Sequence, residues 1–334
     1  MTALHTGLWK LTISISVLGA IVVEWPGPTS PALAQAPAKK ATGPLRVHPT
    51  NPRYFTDGTK NPDGSLKAVY LTGSHTWNSL QDGAFFTAEN ADPPPRFNFE
   101  AYLDVLQQHN HNFIRLWRFE QPRFYYWLDA DSSVLRTPTS RQGLQFSQPH
   151  PWARTGPGTD AIGKLKFDLT RFDEEYFDRL RSRVIAARDR GIYVSVMLFE
   201  GGSMRRGNMA FWPGHPFKGG NNVNRIKVPD DDGPGFGPQV QSLLVPAVTE
   251  LQKAYIRHVV DTVNDLDNVL YEVGNEFEFT PANTEWQYWV VKFVKDYEAT
   301  KPKPHPVGMV CQMHHPWKTS VPDDPRNAVL FNGP

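Results

Sequence analysis

The sequence predicts an α/β fold of the TIM (β/α)8 barrel type, with about six of the strands present and an N-terminal β-hairpin in front of them. Three observations lead there. Strand-like and helix-like segments alternate along the chain, a pattern that implies parallel strands joined by crossover helices. No glycine-rich turn of the dinucleotide-binding kind follows the first strand, which counts against a doubly wound sheet. The two long insertions, residues 121–166 and 201–246, follow strands rather than helices, and in a barrel such loops build the catalytic face.

Residues 1–34 read as a secretory signal. Lys10 precedes the apolar run Leu11–Val23, too short to span a bilayer, and Ala32-Leu33-Ala34 supplies a cleavage site; an uncleaved anchor is the alternative. Residues 35–43 form an Ala/Pro/Lys linker, and residues 44–334 the barrel, a length normal for this fold. A net charge of +1 gives no electrostatic reason to expect nucleic acid, or a membrane once the signal is removed. A single cysteine, Cys311, excludes an internal disulfide, and its apolar surroundings make it a small core residue.

From Arg46 the chain reads as extended segments broken by turns at Asp57-Gly58 and Asp63-Gly64, ending in a first buried strand at Ala68–Leu71. A helix follows over Asn98–His109, capped by Asn98 with Tyr102, Leu103 and Leu106 on one face, and then a strand over Asn112–Glu120. Asp173 caps the next helix, whose stripe is Tyr176, Phe177, Leu180, Val184 and Ala187, and Gly191 ends it. The continuous β-rich run Ile192–Phe199 is a strand covered on both faces. Val248, Leu251, Tyr255, Val259 and Leu266 mark a helix before the strand Asn268–Val273. Trp286, Trp289, Val290, Phe293 and Tyr297 mark another before Pro306–Cys311, and Ala328–Phe331 is a last strand.

The sharpest candidate site is Asn275-Glu276. The pair sits where the apolar strand ends and a loop begins, which is where barrel enzymes carry their reactive groups. Cleavage of a glycosidic bond needs one carboxylic acid to protonate the leaving oxygen and a second carboxylate across the sugar. At the rim of an apolar strand Glu276 is expected to be partly desolvated, and Asn275 offers an amide for a sugar hydroxyl.

The segments NFIRLW (112–117) and YEVGNE (271–276) resemble the cellulase and mannanase superfamily of retaining (β/α)-barrel glycoside hydrolases. The stretch HPTNPRYFTDG, with AVYLTGSHTW after it, resembles the apiosidase-like branch. The resemblance implies Glu276 as general acid/base, Asn275 beside it, and Arg115 as the second-strand arginine supporting the nucleophile. It also places that nucleophile on a seventh strand, whereas the sixth predicted strand is the last before Pro334. The chain is therefore expected to stop before strand seven, leaving Glu276 as half of a pair.

Glu120 and Glu200 end strands two and three and are expected to bind hydroxyls in the cleft, with pairing to Arg118 or a second-carboxylate role as alternatives. His75, Trp77, Trp117, His314 and Trp317 lie at or beyond strand ends and suit sugar binding, or packing under the long loops. No metal or other cofactor is expected: His109 and His111, like His314-His315, lack a third ligand at supporting spacing. These features predict a secreted or periplasmic glycoside hydrolase acting on a poly- or oligosaccharide. The alternative is a non-catalytic carbohydrate-binding barrel that keeps the cleft.

Overall fold

The computed structural model describes residues 40–83, 92–125, 144–202, 212–229, 238–277 and 280–309. The chain opens with a hairpin, β1 (Arg46–Val47) paired antiparallel to β2 (Phe55–Thr56). Asp57 shapes the turn after it, its carboxylate accepting from the Thr59 backbone N–H at 2.9 Å. β3 (Asp82–Gly83), α1 (Phe99–Gln108) and β4 (Phe113–Leu116) follow. The first insertion then contributes β5 (Arg123–Tyr125) and β6 (Leu144–Gln148), which form a small antiparallel sheet with β3 in the order β3-β6-β5. It continues into an antiparallel hairpin of β7 (Trp152–Thr159) and β8 (Leu165–Phe172).

The remaining elements alternate: α2 (Glu174–Asp189), β9 (Tyr193–Glu200), α3 (Pro246–Val263), β10 (Val269–Asn275), α4 (Pro281–Glu298) and β11 (Val307–Gly308). The described residues are thus α/β, with a parallel sheet in the order β11-β10-β9-β4. Those four strands correspond to the second to fifth predicted from sequence. The last predicted strand, Ala328–Phe331, and Cys311 lie outside the described residues.

The helices form where capping and periodicity place them. Asn98 accepts from the Ala101 N–H at the start of α1, and Asp173 accepts from Glu175 at the start of α2. Gly191, at φ 75°, turns the chain out of α2 into β9, a conformation a side chain would resist. The α2 stripe of Tyr176, Phe177, Leu180, Val184 and Ala187 is fully covered, each large member contributing about 1.5–3 kcal/mol. In α3, Leu251 is only half-buried, since Ile256 and Val260 share the buried face, and Leu266 lies beyond the helix end at Val263.

Alternation along the strands divides the sheet into two faces. Ile114, Leu116, Val194, Val196, Leu198, Val269, Tyr271 and Val273 pack with the helices in one large core. On the other face, at the N-terminal strand ends, Ala41, Leu45, Tyr193 and Leu270 form a separate apolar cluster with Phe55, Val69, Leu71 and Phe113. The opening hairpin therefore plugs that end of the sheet.

One predicted strand is corrected. Ala68–Leu71 is not a buried barrel strand: Ala68 is exposed, Tyr70 is 70% exposed, and Val69 bridges antiparallel to Phe55. The Asn112 side chain takes up the backbone groups that a ladder would use, accepting from Thr72 N–H and donating to the Tyr70 carbonyl, each at 2.9 Å. Among the described residues no helix is long and apolar enough to cross a membrane.

Candidate active site

The C-terminal ends of β4, β9 and β10 gather a polar group on the face turned away from the helices. Arg115 pairs with Ser195 in register, and Met197 with Glu272, so Arg115 and Glu272 reach toward each other across β9. The Arg115 Nε lies 2.9 and 3.0 Å from the two Glu272 carboxylate oxygens. Its terminal nitrogens face Asn275 Oδ1 at 3.3 and 3.4 Å, and the guanidinium carbon sits 5.0 Å from the Trp117 ring centre. With Oδ1 turned to two donors, the Asn275 amide presents Nδ2 as a donor away from Arg115.

Sequence reasoning missed Glu272. Its side chain is only 17% exposed, and desolvation raises its carboxyl above the usual range against the opposing pull of Arg115. A signal for it existed: a lone acid inside an apolar strand, with a lone arginine inside another, is expensive to bury unless the two meet.

Glu276 follows Asn275 at φ 50°, a left-handed conformation uncommon outside glycine, and is exposed. The desolvation expected for it is instead the property of Glu272, four residues earlier on the covered part of the strand. Beside it, Glu200 is 4% exposed and accepts the Gly202 N–H at 2.6 Å. A Cβ on Gly202 would stand 2.6 Å from Glu200 Oε1 and 3.3 Å from Glu276 Oε2, so both carboxylates border one point. A Cβ there would have to push the ends of these two side chains aside. At Gly274 glycine is required for close approach, since a Cβ would meet the Phe199 carbonyl oxygen and the Phe277 ring.

Other sequence-predicted residues are placed differently. Glu120 is fully buried and does not line the cleft. Its Oε1 accepts the Glu200 backbone N–H at 2.9 Å, and its Oε2 lies 3.4 Å from His215 Nε2. Gln241 joins them by donating to the Glu200 carbonyl at 2.8 Å. Burial alone would raise the Glu120 carboxyl, but Arg118, His215 and the Glu200 N–H outweigh it and hold it below the usual range. Arg118 is itself buried, 4.2 Å from the Tyr255 ring centre and 5.4 Å from that of Trp152.

Trp117 is 6% exposed, packed with Phe119 and Met197, so its faces are covered rather than offered for stacking. His75 remains exposed, its ring 4.9 Å from that of Trp117, and Trp77 is half-buried. Partial burial and the charge of Arg115 push His75 down to about 4, so its imidazole is neutral near pH 7. His314 and Trp317 lie outside the described residues.

Fold and site together define a protein with a parallel α/β sheet carrying an Arg–Glu–Asn–Glu group at the C-terminal ends of its strands. The chain belongs to the family described as a domain of unknown function (DUF6298), whose model matches residues 145–315, a little over half of its length. No curated protein matches it. Among solved structures, it is similar to a glycoside hydrolase family 5 mannosidase from Rhizomucor miehei at 15% identity and a TM-score of 0.44, over 79% of this chain and 54% of that one. It is similar to endo-glycoceramidase II from Rhodococcus sp. at 18% identity and 0.43, over 76% and 50%. A family 5 glycoside hydrolase from Bacteroides vulgatus ATCC 8482 matches at 12% and 0.38, over 80% and 39%. The chain spans between 39% and 54% of the length of these three proteins.

Proposed function

We propose that this protein is a secreted glycoside hydrolase acting on a poly- or oligosaccharide, with Glu276 as general acid/base of a retaining mechanism. The observation that carries the reading is the contact between Arg115 and Asn275: the two motifs behind the family resemblance, far apart in sequence, meet through a hydrogen bond beside Glu276. In this reading Glu276 protonates the leaving oxygen, and Asn275 Nδ2 donates to a hydroxyl of the sugar as charge develops on the neighbouring carbon. The neutral His75 and half-buried Trp77 offer a polar edge and an aromatic surface to the same sugar. Glu200, covered and engaged by the Gly202 N–H, suits holding the loop beside Glu276 better than attacking a carbon. In this reading the nucleophile is the second carboxylate that the resemblance places on a seventh strand, and secretion follows removal of residues 1–34 as a signal.

A non-catalytic carbohydrate-binding protein is the second reading, favoured by the exposure of Glu276. Hydrolysis of a panel of aryl glycosides and polysaccharides separates the two. Glu276→Gln is expected to slow turnover of substrates with poor leaving groups by about 10²–10⁴-fold. A loss of less than about tenfold removes Glu276 from the acid role.

A further inference from the structure

Glu272 has no assigned part in the proposed reaction, yet the chain keeps a carboxylate inside an otherwise apolar strand. A buried ion pair is weak grounds for stability, because apolar residues of similar volume often serve as well or better. Its value lies in direction. Arg115 has five N–H donors in a rigid fork, and Glu272 engages only one of them, Nε, with both carboxylate oxygens. That choice turns the opposite edge of the guanidinium, with its two terminal nitrogens, onto Asn275 Oδ1. Trp117 lies beneath the guanidinium, and Nη2 also donates a long contact to Met197 Sδ at 3.8 Å.

We propose that Glu272 is a positioning residue: by clamping Arg115 at Nε it fixes the orientation of the Asn275 amide, so that Nδ2 rather than Oδ1 faces the substrate. Glu272 touches no substrate; it acts through Arg115. The kinetic consequence rests on the glycosidase reading, whereas the geometry does not. An Asn275 amide released from Arg115 is free to turn its oxygen outward, where it would repel the lone pairs of a hydroxyl that must accept its hydrogen bond. Misdirection of a group beside the reacting bond reduces turnover more than ground-state affinity.

The test combines resonances with kinetics on the full chain labelled with ¹⁵N at arginine and asparagine side chains. The Arg115 Nε–H signal is assigned by its loss in Arg115→Lys, and the Asn275 amide pair by its loss in Asn275→Asp. We expect a slowly exchanging Arg115 Nε–H in the wild type. In Glu272→Gln that protection is lost and the Asn275 pair moves, while kcat falls by about 10²-fold and KM changes little. Glu272→Asp, which keeps the charge, is expected to recover part of both. An unprotected Arg115 Nε–H in the wild type overturns the proposal, and this result does not depend on any variant folding. So does persistence of both signals in Glu272→Gln, or their loss with kcat unchanged. If the wild type hydrolyses no glycoside, the glycosidase reading fails and the resonances alone decide whether Glu272 orients the amide.

Discussion

Two groups of the same composition stand side by side at one end of the sheet. Arg115, Glu272 and Asn275 make one; Arg118, Glu120 and Gln241 make the other. Each combines an arginine, a glutamate and an amide. Their surroundings set them apart. The first is half-open, with Arg115 26% exposed, and its amide belongs to the residue next to Glu276. The second is sealed: Arg118 and Glu120 are fully buried, and Gln241 spends its donor on the Glu200 carbonyl. Under the proposed function the open group meets the sugar, whereas the closed group holds the end of β9 through the Glu200 backbone. Residue type alone does not separate site from scaffold. Solvent access and the direction of the last free hydrogen bond do.

The largest test of that division is Glu120→Ala. It leaves Arg118 buried without its counter-charge and is expected to cost about 3–5 kcal/mol of stability, read by urea unfolding. Activity per folded molecule should stay within about tenfold; abolition of turnover in a fully folded variant would break the comparison. Asn275→Ala should behave in the opposite way, with kcat lower by about 10²–10³-fold and stability changed by less than about 1.5 kcal/mol. A variant that unfolds instead would place the open group in the scaffold.

Glu276→Gly removes the side chain from a left-handed backbone position, so the folded state should gain about 1 kcal/mol while hydrolysis is lost. A fall in the unfolding midpoint would show that the conformation carries no strain. The smallest effect is the one in pH. The raised carboxyl of Glu272 keeps its proton in the folded state to higher pH than in the unfolded chain. Wild type should therefore lose stability relative to Glu272→Gln as pH rises from the ordinary glutamate range through the raised value. The depressed carboxyl of Glu120 works in reverse: its contribution is present above the ordinary range and fades as pH falls through the depressed value. Unfolding midpoints across acid pH that run parallel for Glu120→Gln and Glu272→Gln would erase the distinction.

Local chemistry made much of this legible. The caps at Asn98 and Asp173, the apolar stripe of α2 and the unbroken run of β9 each state their own structure within a few residues. The position of Asn275-Glu276 at a strand end was equally plain. Partners distant in sequence were not. Whether Glu120 faces solvent depends on His215 and Gln241, which come from a Pro/Gly-rich insertion with no periodicity to place it. The exposure of Ala68–Leu71 depends on Asn112 satisfying its backbone from a separate strand. Glu272 was hidden for another reason: in an apolar strand, one acid is read as an interruption until the arginine across the sheet is seen.

Gly202 gives the site a built-in ruler. Because the absent Cβ would fall between Glu200 and Glu276, each methyl group added at this position acts as a wedge of known size driven between two acids. A graded series, glycine to alanine to valine, would turn a silent residue of the backbone into a dial on the spacing of the carboxylates. That dial can be set without altering either acid.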